Sequence, residues 1–268
     1  MKRVLLKDSI KEIKNTYKRF ISILLMAFLG VGFFAGLRAA SPDMIDTFNQ
    51  FYEDNEVYDI QIISTLGLTD DDIKELERVG KVEKVAGSFE KDGIIDIDNK
   101  EIVTKLITIG EINKPILVDG NIPQNDNECL VEEGFLKVNN KQIGDTVDIE
   151  IEDTTDVYGN KKTYLKNSKM KIVGTVQSPI YISRDRGTSK LGTGKVSYYM
   201  YIPKENINAN DAYTSIYLRV KNEENYETST QKYEDYIEEV KDNIEQIKDE
   251  REQSRKIQTL NGIETAKW

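Results

Sequence analysis

The chain has 268 residues, of which 38% are hydrophobic and 31% are charged, and its formal net charge is −10. Histidine is absent and cysteine occurs once, which excludes serine–histidine and cysteine–histidine catalysis, an intramolecular disulfide and the commonest protein ligand of zinc. So acidic a chain is also a poor candidate for binding nucleic acid, which requires clustered Lys and Arg.

The first 19 residues form a basic leader. Residues 1–38 hold eight Lys or Arg and two Asp or Glu, a net charge of about +6, which leaves about −16 for the rest of the chain. Apolar residues of the leader recur at helical spacing and favour an amphipathic helix on the inner membrane surface, with a solvated leader as the alternative. They are Val4, Leu5, Ile10, Ile13 and Tyr17.

An uncharged run, FISILLMAFLGVGFFAGL, occupies residues 20–37. About 18 residues is the short end of what crosses a bilayer, and Ala39 and Ala40 extend it, so we predict a transmembrane helix over 20–40. A cleavable signal peptide is the alternative, but the run is longer than a usual signal core, and cleavage after Ala40 would place Arg38 at position −3. The preceding Lys and Arg predict a cytoplasmic N-terminus and an extracellular remainder in the plasma membrane.

Gly32 and Gly36 form a G-x-x-x-G motif inside this run, a spacing that lets a second helix approach closely. Gly30 adds a third small residue. Glycine is common in membrane helices, so a chance occurrence is the alternative. We predict that Gly32 and Gly36 are helix-packing residues. No residue is predicted to be catalytic or to bind a metal or a cofactor.

Residues 41–57 are predicted to form a stalk. Ser41-Pro42-Asp43 is typical of a helix start, and Met44, Phe48 and Phe51 then recur at helical spacing to about Asn55. A strand is expected over 58–64.

A further helix opens at Thr69 and stops at Gly80. Its first turn carries Asp70–Asp72, which favours a helix N-terminus over a metal site.

Short strands dominate residues 82–221. Asp96–Asn99 superficially resembles a calcium loop but lacks the required acidic ligand and glycine, so a hairpin turn is favoured. Cys129 falls on a strand, and its burial is left open. The predicted strands are 82–86, 93–98, 102–109, 115–119, 128–131, 147–152, 162–165, 170–177, 196–202 and 214–221, with a short helix at 132–138.

Ser183–Lys195, SRDRGTSKLGTGK, is a basic loop rich in glycine. It does not fit a phosphate-binding loop, because Thr193 follows Gly192 where that motif requires Lys. The sequence predicts a mobile hairpin tip, for which a plain solvated loop is favoured and contact with anionic lipid or a partner subunit is the alternative.

The last segment, 226–268, is predicted to be a long helix that begins a coiled coil. Its apolar residues follow the 4-3-4-3 spacing of a two-stranded seam, which requires a partner helix. None follows before Trp268, so we expect the chain to be truncated there. The seam residues are Tyr233, Ile237, Val240, Ile244 and Ile247, with Ile257 and Leu260 resuming after Arg251 and Ser254.

These features resemble the N-terminal part of a permease of the FtsX/MacB type. The resemblance covers nearly the whole chain. It rests on the basic leader, on a first membrane helix that ends in Ala39-Ala40-Ser41-Pro42, and on the Tyr- and Glu-rich helix after residue 226. It also rests on LVDGNIPQNDNECLVEEGFLKVNNKQIGDTVDIEIE at 117–152 and MKIVGTVQS at 170–178.

The resemblance implies an α+β fold in which residues 58–225 form a MacB-like extracellular core domain, with a ferredoxin-like part and a β-rich subdomain. It implies a non-catalytic permease subunit of an ATP-driven transporter or mechanotransmission complex. The implied partners are a cytoplasmic ABC ATPase subunit, other permease helices or a second permease copy, and the lipid bilayer.

Two other functions remain open. The first is a single-pass anchored extracellular binding or sensory module that dimerises through its C-terminal helix. The second is an extracellular carboxylate-dependent hydrolase, for which no Asp or Glu pair stands out by spacing. The transported or sensed substrate is not indicated by any motif.

Overall fold

The computed structural model describes residues 11, 14–151, 154–155, 161–183, 185–208, 213–222, 226–228 and 230–265. Most of the basic leader, the predicted loop at 156–160, Arg184 and the end at Trp268 lie outside these residues. The chain divides into two compact units, Met1–Phe51 and Tyr52–Trp268. The fold is α+β, with an N-terminal apolar helix, a β-rich core and a C-terminal helix.

Helix α1 (Tyr17–Asp54) runs for 38 residues and contains Pro42 in its interior. The predicted continuation of the helix to about Asn55 is confirmed, whereas the expectation that Ser41 begins a new helix is wrong. Apolar side chains within residues 20–37 are largely exposed, for example Phe28 at 75% and Leu29 at 74%. Proline lacks an N–H group, so the carbonyl oxygen of Arg38 loses its usual donor four residues on.

The second unit begins with the last turn of α1. Its elements are β1 (Ile60–Leu68), α2 (Asp70–Glu77), β2 (Val82–Ser88), β3 (Glu90–Ile97), β4 (Lys100–Thr108), β5 (Ile116–Gly120), β6 (Glu128–Glu132), α3 (Glu133–Val138), β7 (Thr146–Ile151), β8 (Thr154–Thr155), β9 (Lys161–Lys162), β10 (Lys169–Gln177), β11 (Tyr198–Ile202), a 3₁₀ turn (Lys204–Asn206), β12 (Tyr213–Val220) and α4 (Gln231–Thr265).

An antiparallel three-stranded sheet has the order β1-β12-β2. Alternate residues of its strands, such as Ile60, Ile216 and Leu218, join apolar residues of α2 and α4 in one hydrophobic cluster. We call the sheet together with α2 and α4 the sheet body. Because α2 and α4 bury their apolar stripes against the sheet, neither needs another helix for a core.

The coiled-coil prediction for the C-terminal helix is not confirmed. Tyr233, Ile237 and Val240 are buried in the cluster of the sheet body, and Ile244 and Ile247 pack against it. The 4-3-4-3 spacing therefore corresponds to an apolar stripe of the helix that packs against a sheet. The expectation that this stripe requires a partner helix is wrong, because strands that lie before α4 in the sequence cover it.

Six strands close into a barrel in the order β3-β4-β11-β6-β10-β7. Strand β5 pairs with the C-terminal half of β10, at Gly174–Gln177. Closure comes from β7, which pairs with both β10 and β3. The barrel core is apolar and includes Leu106, Met170 and Met200, all 0% exposed. Cys129 belongs to the same core, and burial raises the pKa of its thiol.

Most predicted strands are confirmed to within a few residues, and the turn at Asp98-Asn99 is confirmed as well. Both of these residues have positive φ, at 53° and 62°, as a tight two-residue hairpin requires. The strand expected over 162–165 is wrong: Lys161–Lys162 pairs only with Thr154–Thr155, and Leu165 makes an isolated bridge to Ile207.

Candidate coupling site at the end of the apolar helix

Helix α1 is the one helix, within the described residues, that is long and apolar enough to cross a membrane, and its apolar stretch is not buried. A Cβ added at Gly32 or Gly36 would meet nothing within 4 Å, so both positions leave space for another helix. Their role in helix packing stays a prediction.

The C-terminal end of α1 holds a group of ionic and hydrogen-bonded side chains that we call the junction cluster. The last turn of α1 supplies one member, the connection to β1 supplies two, and β2, β12 and α4 supply one each. All of them belong to the second compact unit. The junction cluster consists of Glu53, Glu56, Asp59, Lys84, Arg219 and Tyr233.

Arg219 is the centre of the cluster, with a side chain only 7% exposed. Its guanidinium donates to the carbonyl oxygen of Tyr52 at 3.2 Å and to Oε2 of Glu53 at 2.7 Å. The last carbonyls of a helix have no partner in the helix and carry partial negative charge, so a cation there stabilises the helix end. Burial lowers the pKa of Arg219, but nearby carboxylates, Glu53 first, outweigh it and raise the pKa, so this side chain stays charged.

Glu56 links the helix end to β2. Its Oε1 accepts a hydrogen bond from Nζ of Lys84 at 2.6 Å, and that bond lowers the pKa of Glu56 below its ordinary value. Its Oε2 lies 3.5 Å from Nε of Arg219. The backbone of Glu56 has φ of 50°, the left-handed conformation that commonly ends a helix but in which a glutamate is uncommon.

Asp59 links the start of β1 to β12 and α4. One carboxylate oxygen accepts from the backbone N–H of Val220 at 2.7 Å, and the other accepts from the hydroxyl of Tyr233 at 2.6 Å. Burial raises the pKa of Asp59, although both hydrogen bonds act in the opposite direction.

The helix end also contacts the segment that follows β4 of the barrel. The backbone N–H of Asn113 donates to the carbonyl of Glu56 at 2.8 Å, and that of Lys114 donates to the carbonyl of Asn55 at 3.0 Å. The Oδ1 atom of Asn113 accepts from the N–H of Tyr58 at 3.1 Å. The end of α1 is therefore bonded both to the sheet body and to the barrel.

Each of the three carboxylates in this arrangement accepts a hydrogen bond from another residue of the second unit. Removing one partner of a buried ion pair costs several kcal/mol, about 3–5 in measured cases. A displacement of the last turn of α1 must therefore move β12 with it or break these contacts. The junction cluster is suited to passing on movement.

The acidic residues at the start of α2 each have a structural role. Asp72 accepts from the backbone N–H and the hydroxyl of Thr69, both at 2.8 Å, which caps the helix. Asp71 pairs with Lys74 at 3.1 Å, and Asp70 accepts from the hydroxyl of Tyr213 at 2.8 Å. These contacts explain the acidic run as a helix start.

The basic loop at 183–195 folds against the barrel. Arg186 forms an ion pair with Glu132, and its guanidinium lies 5.3 Å from the ring of Tyr199. Lys190 and Lys195 are exposed. Arg186 is thus occupied within the domain, and contact of the two lysines with lipid or a partner stays a prediction.

Sequence reasoning missed the junction cluster. The available signal was one Arg in an otherwise uncharged strand, TSIYLRV at 214–220, and one Asp directly before β1. A charge among buried strand residues requires partners. The sequence does not show which carboxylates those are, because they lie about 160 residues away in the chain.

No family model matches the sequence, and no curated protein matches it. The solved structures that are similar include three from transporters or permeases. The extracellular domain of the noncanonic ABC-type transporter YknZ from Gram-positive bacteria is 14% identical, with 60% of this chain and 77% of that chain covered and a TM-score of 0.36. The periplasmic region of MacB from Actinobacillus actinomycetemcomitans is 15% identical, with 67% and 73% covered and a TM-score of 0.38.

The third is a domain of a putative permease protein from Porphyromonas gingivalis, 16% identical, with 63% of this chain and 70% of that chain covered and a TM-score of 0.34. All three are described as parts of transporters or permeases, the class of protein that the sequence resembles.

Proposed function

We propose that this chain is a permease subunit, or the N-terminal part of one, in an ATP-driven FtsX/MacB-type transporter or mechanotransmission complex. Its own role is mechanical. The observation that carries the proposal is the junction cluster, where the end of a helix apolar enough to span a membrane is bonded to strands β2 and β12 of the sheet body.

The proposed sequence of events begins at a cytoplasmic ABC ATPase subunit that moves the membrane helices when it binds and hydrolyses ATP. Helix α1 packs against other permease helices, or those of a second permease copy, through Gly32 and Gly36. Its movement reaches Tyr52, and the buried Arg219 transfers it to β12 because the two are directly bonded. Residues 58–225 are the extracellular core domain that receives the movement.

The orientation of the chain follows from charge. The basic leader stays on the cytoplasmic side, where anionic lipid attracts it, and the acidic second unit lies outside. Within this proposal the carboxylates of the junction cluster serve as anchors for Arg219 and Lys84, not as acids or bases.

Affinity purification of the tagged full chain from its own membranes tests the proposal. We expect an ATPase subunit to co-purify with it. Gly32→Leu with Gly36→Leu reduces its recovery at least threefold, whereas Phe34→Ala, a substitution on the opposite face of the same exposed stretch, leaves it unchanged. Recovery of the intact chain with no ATPase in the eluate would reject the permease function.

A second experiment addresses coupling in the purified complex. A fluorophore at Glu77 of the sheet body is expected to respond to ATP in the parent protein. In Arg219→Met, the ATPase still co-purifies but the response is lost. Arg78→Met removes an exposed ion pair with Glu75 and retains the response. An unchanged response in Arg219→Met contradicts the assigned role of the junction cluster.

The anchored module that dimerises through its C-terminal helix is the second candidate, because Ile257 on α4 is 57% exposed. Ile244 packs against the sheet body, so a cysteine there is a poor probe of dimerisation. Cysteine at Ile257 is the appropriate probe: cross-linked dimers that form without an ATPase support this module, and strictly monomeric protein argues against it.

A further inference from the structure

The second unit contains separate hydrophobic clusters on its two sheets. One consists of residues from β1, β2, β12, α2 and α4, and the others consist of barrel residues. Two bodies with separate cores can move relative to each other when the interface between them is small.

One link between the two bodies is a short covalent crossing. Phe89 alone separates β2 of the sheet body from β3 of the barrel. Around it, the N–H of Glu90 donates to Oγ1 of Thr214 at 2.7 Å, and the hydroxyl of Tyr217 donates to the carboxylate of Glu90. A single residue between two strands, held by local hydrogen bonds, acts as a pivot.

A second link lies at the junction cluster and is not covalent. It consists of the backbone bonds from Asn113 and Lys114 to Glu56 and Asn55, together with the bond from Tyr58 to the side chain of Asn113. Glu56 and Asn113 both have positive φ, at 50° and 59°. A left-handed conformation is less favourable for these residue types than for glycine, so the contact holds two uncommon backbone conformations together.

Asn113 is also incompletely satisfied. Its side chain is buried, at 5% exposure, and its Nδ2 atom has no hydrogen-bond partner among the residues that the structure describes. Opening the contact would expose this donor to water and offset part of the loss of the three hydrogen bonds.

A narrow cleft, with room for about one water molecule, lies between the two links. Gly87 and Ser88 of the sheet body line one side, and Thr108, Gly110 and Asn113 line the other. A gap between the pivot and the second contact is where two bodies separate with the least loss of packing.

We infer that the sheet body and the barrel are two rigid bodies that hinge at Phe89, and that the contact between Asn113 and the end of α1 is the latch that holds them closed. Displacement of the helix end releases Asn113 and widens the cleft. The inference goes beyond the proposed function and does not depend on it, since the hinge is a property of this chain without an ATPase.

A distance measurement on the full chain in lipid nanodiscs tests the hinge. Spin labels are placed on cysteines introduced at Glu77 of the sheet body and Asp148 of the barrel, both exposed. Cys129, the only native cysteine, is fully buried and does not compete for label. In the parent protein we expect one dominant distance with a minor longer population.

Two substitutions of Asn113 separate the latch from general damage. Asn113→Gly tolerates the positive φ and removes only the side-chain bond, so the longer population at least doubles. Asn113→Asp keeps an oxygen that accepts from the N–H of Tyr58 and removes the Nδ2 donor, so it leaves the longer population at the parent level. Asn140→Gly is the matched control, because Asn140 also has positive φ, at 51°, but lies in the loop after α3.

The longer population is expected to be largest in Asn113→Gly, with Asn113→Asp and Asn140→Gly equal to the parent. If Asn113→Asp does not fold, Asn113→Gly and its control decide the question. Distance distributions of the parent and Asn113→Gly that superimpose would overturn the latch. A single narrow distance in every folded variant would overturn the hinge as well.

Discussion

The sheet body and the barrel differ in whether they bury charged side chains. The barrel core is largely apolar, and its buried polar side chains, such as Thr104 and Asn206, carry no charge. Among the described residues, the charged ones that are buried are Asp72 and Arg219, and both belong to the sheet body. The barrel core is thus held mainly by non-directional burial, whereas the sheet body is tied to α1 by directional ion pairs. Apolar burial stabilises a fold, whereas directional bonds determine which elements move together.

The largest expected effect is on the barrel. Leu106→Ala removes a fully buried side chain and lowers the free energy of unfolding by about 4 kcal/mol, because it leaves a cavity in a close-packed core. Urea unfolding measures this loss. The same variant should leave the Glu77-to-Asp148 distance unchanged as long as it is folded, since its damage is not directional. A changed Glu77-to-Asp148 distance would contradict the proposed difference between the barrel and the sheet body.

Arg219→Met is expected to cost less stability, about 3 kcal/mol, at the lower end of the range for broken buried pairs because Glu53 is largely exposed. Urea unfolding again provides the measurement. Arg78→Met, which removes an exposed pair, should cost below about 1 kcal/mol. Equal losses in the two variants would mean that Arg219 is not a structural centre.

Tyr233→Phe removes one of the donors to Asp59, and we expect a loss of about 1.5–2 kcal/mol, typical of a hydrogen bond to a charged group. Tyr236→Phe, on the same helix, removes an exposed bond to the carbonyl of Lys221 and should cost less. Thermal unfolding of both variants compares them. A Tyr236→Phe loss equal to that of Tyr233→Phe would show that Asp59 contributes no charge-assisted bond.

The smallest effect is expected at the pivot, from Glu90→Gln. Burial raises the pKa of Glu90, so the folded protein holds this proton more tightly than the unfolded chain does. The contribution of Glu90 to stability is therefore greatest in acid and declines as pH rises from the ordinary value of 4.5 through the raised pKa. Glutamine stays neutral.

The melting temperature of Glu90→Gln relative to the parent should accordingly increase as pH rises through this range and then level off. At neutral pH the free energies of unfolding of the two proteins should differ by less than about 1 kcal/mol. Melting curves from pH 4 to pH 8 measure it. A difference in melting temperature that stays constant with pH would show that the titration of Glu90 does not contribute to stability.

The sequence predicted most elements because their local patterns are strong. Alternation at 147–151, the acidic cap before α2 and the uncharged run of α1 each act within one element. The closure of the barrel was not predictable, because β7 pairs with two strands that are remote in sequence. The spacing of α4 predicted a buried stripe correctly, but a period says only that a face is covered and not by what.

The candidate site was the harder part. Gly32 and Gly36 were identified by a motif that the chain alone cannot test. Arg219 has no motif, since its meaning depends on Tyr52, Glu53 and Glu56 being brought to it by the fold. Asn113 gives even less signal, because an asparagine in a loop is ordinary until its backbone conformation and its unsatisfied amide are known.

Pro42 gives helix α1 an uneven stiffness. Its ring removes one internal hydrogen bond from a rod of 38 residues, and a rod bends first where an internal brace is missing. A force along the helix axis is therefore expected to pass Pro42 almost unchanged, whereas a sideways force is expected to bend the helix there. Helix α1 is thus better suited to transmitting a push or a pull than a sideways movement.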